Sequence, residues 1–90
     1  MNKQDLINAI ADDTGVPVTT ARKMLQSLEF NISQALANGQ EVKLVGFGTF
    51  KTAPRAAREG RNPKTGEAIM IPATIVPKFV AGKALKDAVN

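Results

Sequence analysis

The sequence predicts an α+β fold in which two helices come first, antiparallel strands follow and a short helix ends the chain. Apolar residues recur at helical spacing through roughly residues 3–38, and the pattern changes to alternation from Glu41 onward. From Pro54 to Gly66 the chain carries no large apolar side chain, so this stretch has nothing to bury. If roughly residues 54–74 project as a hairpin arm, about 70 residues remain for a core, and chains of that size are marginally stable alone. We therefore expect an obligate dimer whose shared core includes the second helix.

The first helix is predicted at roughly 3–14 because both of its ends carry local signals. Asn2 is followed three residues later by Asp5, which resembles a capping box with a carboxylate at its far end. Apolar residues then recur at helical spacing. Gly15 follows them and can adopt the left-handed conformation that ends a helix.

The second helix is predicted at roughly 18–38 and is the longest element. It carries one continuous apolar stripe, which ends at Asn38-Gly39. Phe30 lies about half a turn off that stripe, since successive helical residues are about 100° apart. The helix should therefore present apolar surface on a second side, where a partner surface such as a second copy of the chain would cover it.

A strand, a tight turn and a returning strand are expected next. Residues 41–45 alternate as a half-buried strand does, and residues 49–53 continue as the returning strand. Between them, Gly46-Phe47-Gly48 predicts a tight turn with Phe47 at its centre.

Residues 68–76 predict further strand structure beyond the arm's basic stretch. Pro72 and Pro77 place this part at a sheet edge or at bends, because proline cannot donate a hydrogen bond to a ladder. Phe79 is expected in a link that leads into the final helix.

Together these elements predict a single domain over residues 1–90. Its helical dimerisation part spans 1–40, and its β-sheet part spans 41–81 with the arm at about 54–74. A C-terminal helix is expected within 82–90.

The composition excludes most kinds of active site. The chain has no cysteine and no histidine, which removes disulfides, thiol nucleophiles, histidine bases and zinc sites built from these residues. No pair of carboxylates lies in a pocket-like segment, so we expect no enzymatic activity, cofactor, metal or small-molecule substrate. No apolar run approaches the ~18 residues of a membrane span, and we predict no signal peptide. A cytoplasmic protein without a membrane partner is expected.

Charge is concentrated in the middle of the chain. The net charge is +4, yet residues 43–78 hold seven basic and two acidic residues, while residues 1–42 hold three basic and five acidic ones. A basic segment of this kind favours a polyanionic partner.

The arm carries the strongest functional signal. Arginines bind phosphates bidentately or enter a narrow minor groove, and a two-stranded ribbon is thin enough to follow a groove. Asn62 and Pro63 at the expected tip are either ordinary turn residues or, for the proline, an apolar wedge that kinks a duplex. The alternative interpretation of the basic run is a solvated loop that only keeps the protein soluble. This is less favoured here, because loops beyond ~12–15 residues are usually functional or disordered. The candidate nucleic-acid contacts in and beside the arm are Lys51, Arg55, Arg58, Arg61, Asn62, Pro63 and Lys64.

Three further lysines, Lys3, Lys83 and Lys86, form a second set of candidates. They lie at helix starts or on the short final helix. There, cations and helix N-terminal amides could contact phosphates on the outer face of bent DNA. Taken alone, a lysine in such a position is more often a plain surface charge.

Four segments of the chain carry a family resemblance: Val45–Phe50, Arg55–Glu67, Ile71–Ala73 and Gly82–Lys86. They closely resemble the bacterial HU family, whose members are histone-like DNA-bending proteins related to integration host factor. The Gly-Arg-Asn-Pro-x-Thr-Gly tip together with Gly-Phe-Gly-x-Phe makes the resemblance specific.

The resemblance implies an intertwined homodimer with a helical body beneath an antiparallel β-saddle, from which two long β-ribbon arms wrap the minor groove. It also implies Pro63 as the intercalating tip, Arg58 and Arg61 as arm contacts, and the second set of lysines as phosphate contacts on the flanks. Minor-groove bending with apolar wedges is the general mechanism described for HU and integration host factor. The chain departs from the family pattern at Ala81, where proline is common, and at Phe30, where the aromatic usually lies one position earlier.

These observations predict a histone-like architectural protein that binds and bends duplex DNA with little sequence specificity and compacts the nucleoid. Bent, nicked or otherwise distorted DNA is the expected preferred partner. Two alternatives remain open: a subunit of a site-preferring heterodimer like integration host factor, and a basic dimer that binds RNA. An anionic membrane surface is disfavoured because no predicted helix combines a basic face with a broad apolar one.

Overall fold

The computed structural model describes all of residues 1–90, and the chain forms three helices and five strands. In chain order they are α1 (Lys3–Thr14), α2 (Val18–Ala37), β1 (Val42–Leu44), β2 (Gly48–Arg55), β3 (Arg58–Arg61), β4 (Ala68–Ile71), β5 (Thr74–Ala81) and α3 (Lys83–Ala88). The predicted α+β class is confirmed. The chain divides into two compact units, Met1–Ala35 and Leu36–Asn90. No helix has the length and apolar character needed to cross a membrane.

Local signals at both ends define α1 as the sequence predicted. The side chain of Asn2 accepts a hydrogen bond from the Asp5 N–H at 2.8 Å, and the Asp5 carboxylate accepts one from the Asn2 N–H at 3.1 Å. This reciprocal pair is a capping box. At the other end, Gly15 has φ 74° and donates its N–H to the Ala11 carbonyl at 2.9 Å.

The core of the first unit is small. Ile7, Ala11 and Ala21 are the chain's only buried apolar side chains, where α1 meets α2. By contrast, α2 leaves Leu28 and Phe30 exposed, Phe30 by 61%. The expected second apolar side of this helix is confirmed, because Phe30 is uncovered within the single chain.

Four of the strands, β2 to β5, form one long hairpin with a single interruption. In the three-stranded sheet β1-β2-β5, the antiparallel β2–β5 ladder runs from Gly48–Ala81 to Arg55–Thr74. The β3–β4 ribbon continues in the same register from Arg58–Ile71 to Arg61–Ala68. Residues 56–57 and 72–73 separate the two ladders, and Pro72 in this gap has no N–H to donate. The arm predicted at about 54–74 is therefore the outer part of a hairpin whose base belongs to the sheet.

The position of the tight turn differs by one residue from the prediction. The Phe47 N–H donates to the Leu44 carbonyl at 2.9 Å, so Val45 and Gly46 are the central residues and Phe47 closes the turn. Gly46 has φ 85°, and a left-handed third position is the part of such a turn that needs glycine.

The expected link at Phe79 is wrong, because this residue lies inside β5 directly opposite Phe50. The two rings are 4.8 Å apart between centroids, and the Phe47 ring lies 5.8 Å from that of Phe79. The sequence did not predict a strand here because Pro77 cannot donate a hydrogen bond to a ladder. β5 accommodates this proline because it is an edge strand of the sheet, as the prediction of an edge or bend required.

Candidate nucleic-acid interface

Pro63 lies exposed at the tip of the arm, as predicted. The tip loop is closed by two main-chain bonds of 2.8 Å, from the Asn62 N–H to the Glu67 carbonyl and from the Gly66 N–H to the Asn62 carbonyl. Gly66 has φ 72°, which explains a glycine at this position. The Asn62 side-chain oxygen accepts from the Lys64 N–H at 2.9 Å. The candidate contact Asn62 is thus half-buried and engaged in the turn itself.

The two arginines of the ribbon lie on opposite faces, because side chains alternate along a strand and paired residues share a face. Arg58 shares its face with Ile69 and Ile71, whereas Arg61 shares the other with Glu59 and Met70. A ribbon that enters a groove would thus present one guanidinium toward each side.

Exposed apolar residues on the returning strand of the arm were missed as candidates. Ile69 and Met70 are exposed, and Ile71 is half-buried. Gly60 makes room for the Ile71 side chain, because a Cβ at Gly60 would lie 2.9 Å from the Ile71 Cδ1. The signal available in the sequence was Ala68–Ile71, a run of apolar residues that gives both faces of one strand apolar side chains.

A basic face continues from the arm onto the sheet. Lys51 and Arg55 lie four residues apart on β2, so they share a face, and Lys78 lies directly opposite Lys51. Sequence reasoning missed Lys78, because only the strand register shows that the two lysines face each other. Like charges directly opposite in a ladder are destabilising. A bound anion would relieve that repulsion.

Lys3 has a carboxylate partner in the structure. Its Nζ lies 2.9 Å from the Glu29 Oε1, with 57% and 52% of the two side chains exposed. This is the only salt bridge in the chain, so Lys51, Lys78 and the cations of the arm have no carboxylate partner. Arg22 instead donates to the Gln4 side chain at 3.2 Å.

Lys83 and Lys86 are exposed on α3, but the helix amides expected to assist them are engaged. The Gly46 carbonyl accepts from the N–H groups of Ala84 at 3.1 Å and Leu85 at 3.4 Å. In α1, likewise, the Asp5 N–H is bonded to Asn2. Within α1 and α3, the N–H groups of Asp5, Ala84 and Leu85 are therefore bonded inside the protein, which leaves fewer amides for a phosphate than the sequence predicted.

Comparison with known proteins gives consistent matches over the full chain. Residues 1–90 match the family described as Bacterial DNA-binding protein. The chain is 57% identical to the DNA-binding protein HU of Lactococcus lactis subsp. lactis (strain IL1403) over 89 residues, which cover 99% of this chain and 98% of that protein. It is 52% identical to the DNA-binding protein HU of Geobacillus stearothermophilus over the whole length of both.

Solved structures agree with these matches. The HU chain of an Anabaena HU-DNA cocrystal structure superposes with a TM-score of 0.95 at 46% identity, covering 99% of this chain and 97% of that one. HU from Thermotoga maritima superposes with a TM-score of 0.72 at 32% identity over the whole of both chains. The sequence matches and the superpositions together show that this chain belongs to the bacterial DNA-binding protein family, among its HU members.

Proposed function

We propose that this protein is an architectural DNA-binding protein, which binds duplex DNA through the minor groove and bends it. The observation that carries the proposal is the arm: a two-stranded ribbon with arginines on both faces and an exposed proline at its tip. The Anabaena relative, 46% identical, is described in a cocrystal structure with DNA, which supports the same partner for this chain.

Affinity in this proposal comes from cations that have no carboxylate partner. Arg55, Arg58, Arg61 and Lys64 are exposed and form no salt bridge. Each phosphate contact releases condensed counterions, so binding should weaken steeply as salt rises. Little sequence specificity is expected, because the minor groove distinguishes base pairs poorly.

Bending in this proposal comes from Pro63. Proline has no N–H, so its ring can enter a base step without burying an unsatisfied donor. Unstacking a step costs a few kcal/mol, which the additional contacts of bent DNA offset. A protein that works this way favours nicked or otherwise distorted duplexes, where part of the unstacking cost is already met, and it would compact the nucleoid in which it resides.

We infer that the functional unit is a homodimer. Three buried apolar side chains are a small core for 90 residues, while Met24, Leu28 and Phe30 on α2 remain exposed. Monomers rarely leave large contiguous apolar patches uncovered. A second copy supplies a matching surface without any further chain. A heterodimer with a related subunit is the alternative outcome.

The wedge is tested by Pro63→Ala and Arg61→Ala in ligation-mediated circularisation, with gel mobility shifts across a salt series. We expect Pro63→Ala to reduce bending more than binding, and Arg61→Ala to weaken both by removing a phosphate contact. Lys23→Ala is the matched control, since this exposed cation lies on α2 outside the candidate interface. Unchanged circularisation by Pro63→Ala would remove the wedge from the proposal.

The choice of nucleic acid is tested in the same assay by competition at fixed salt. Linear, nicked and cruciform DNA compete against a structured RNA for the wild-type protein. RNA helices offer a deep, narrow major groove and a shallow minor groove, so the arm should favour DNA. Stronger competition by the RNA would favour an RNA-binding dimer instead.

A further inference from the structure

Asn62 makes three hydrogen bonds that shape the tip of the arm. Its N–H and carbonyl bond to Glu67 and Gly66, and its Oδ1 accepts from the Lys64 N–H at 2.9 Å. The last bond joins the residues on either side of Pro63. The Asn62 side chain therefore closes a hydrogen-bonded turn that contains the proline backbone. Pro63 itself is exposed.

We propose that Asn62 is a positioning residue for Pro63 and does not itself contact DNA. This inference rests on the proposed function, because it concerns how the wedge is presented to a base step. The proline ring fixes φ of Pro63, and an Asn side chain bonded two residues ahead restrains the turn around it. The free protein would then hold the wedge in its inserting orientation, so less ordering remains to be done on the DNA.

The chemistry of the amide group separates positioning from contact. The Oδ1 atom is engaged in the turn, while the Nδ2 group donates to no atom of the protein. A direct role on DNA would need that Nδ2 group as a donor to a phosphate or a minor-groove acceptor. Asn62→Asp keeps the acceptor oxygen and removes the donor, whereas Asn62→Ala removes both. Only Asn62→Asp therefore separates the two roles: positioning predicts that it keeps bending, whereas contact predicts that it loses bending as Asn62→Ala does.

The free protein provides the first measurement. Hydrogen exchange at the Lys64 amide should be about three- to tenfold faster in Asn62→Ala, as loss of one hydrogen bond predicts, and close to wild type in Asn62→Asp. Equal exchange rates in wild type and Asn62→Ala would overturn the inference. The arm lies outside the buried core, so thermal unfolding of both variants should match wild type and show that they fold.

Bending at saturating protein provides the second measurement. Asn62→Ala should lose circularisation to about the extent of Pro63→Ala, and Asn62→Asp should retain it. The new carboxylate weakens binding, so Thr65→Asp serves as the charge control in the same exposed loop and should raise the Kd by a similar factor. Loss of bending in Asn62→Asp equal to that in Asn62→Ala would show that the amide donor matters, and the positioning role would be rejected.

The Pro63→Ala variant distinguishes failure of this inference from failure of the proposed function. If Pro63→Ala bends DNA normally, the wedge itself is absent. If Pro63→Ala loses bending while Asn62→Ala keeps it, the wedge stands and only the positioning role of Asn62 is overturned.

Discussion

At the scale of single residues, Gly82 determines how α3 meets the turn between β1 and β2. Its N–H donates to the Phe47 carbonyl at 2.7 Å, and the Gly46 carbonyl caps the first turn of the helix. A Cβ on Gly82 would lie 2.5 Å from that Gly46 oxygen and 2.9 Å from the Phe47 carbonyl carbon. Both neighbours are backbone atoms, so no side-chain rotation relieves the clash.

Gly82→Ala should therefore destabilise the protein by about 3 kcal/mol, at the upper end of ordinary overpacking. Gly15→Ala is the comparison, because φ at Gly15 is 74° but no atom lies within 4 Å of an added Cβ. It should cost only the left-handed strain of about 1 kcal/mol. Urea unfolding at equal protein concentration measures both. A smaller loss for Gly82→Ala than for Gly15→Ala would show that the turn shifts freely away from the helix.

At the scale of elements, the hairpin from β2 to β5 places Lys51 and Lys78 directly opposite each other. Neither lysine has a carboxylate partner, and Arg55 shares their face. Cross-strand pairs of like charge destabilise a ladder by roughly 0.2–1 kcal/mol. An anion bound along this face would attract both lysines, so the pair would then stabilise the complex.

Lys78→Gln should accordingly stabilise the free protein slightly and weaken its binding to DNA. The expected stability gain is about 0.5 kcal/mol. The slope of log K for DNA binding against log salt concentration should become shallower by about 0.9, the value for one phosphate contact. Lys23→Gln removes the same charge from α2, where no like charge lies directly opposite, and should leave the salt dependence of DNA binding unchanged. Urea unfolding and a salt series of gel shifts measure the two effects. Unchanged affinity in Lys78→Gln would place this face away from the DNA.

Elements defined by neighbours in the chain could be predicted, and those defined by distant partners could not. The bounds of α1 follow from Asn2, Asp5 and Gly15, which act within one turn of the helix ends. The strand around Phe79 was missed because its identity depends on β2, which lies more than twenty residues earlier in the chain.

The same distinction holds for the candidate site. The position of Pro63 at the tip followed from local composition, because proline and glycine mark turns. The opposite faces of Arg58 and Arg61 and the pairing of Lys78 with Lys51 depend on strand register. Register is set by pairing between distant segments, so sequence pattern alone did not reveal it.

At the scale of the whole molecule, the proposed homodimer covers the apolar face of α2 with a second copy of the chain. Leu28 is 47% exposed in the single chain, and Met70 in the arm is 66% exposed. In the proposed homodimer Leu28 becomes buried in the shared core, whereas Met70 stays at the surface. The two residues therefore differ in the dimer in a way that their exposure in one chain does not show.

Leu28→Asn should dissociate the dimer and lower its Tm, because it places an amide in the shared apolar core, whereas Met70→Asn should leave both unchanged. For the wild type, association also makes stability depend on concentration. A protein concentration about 100-fold above the dissociation constant adds about 2.7 kcal/mol by mass action. Sedimentation equilibrium and thermal unfolding over a wide concentration range measure this. A wild type that sediments as a monomer with a constant Tm would reject the homodimer, and dimerisation only with a second, related chain would identify a heterodimer subunit.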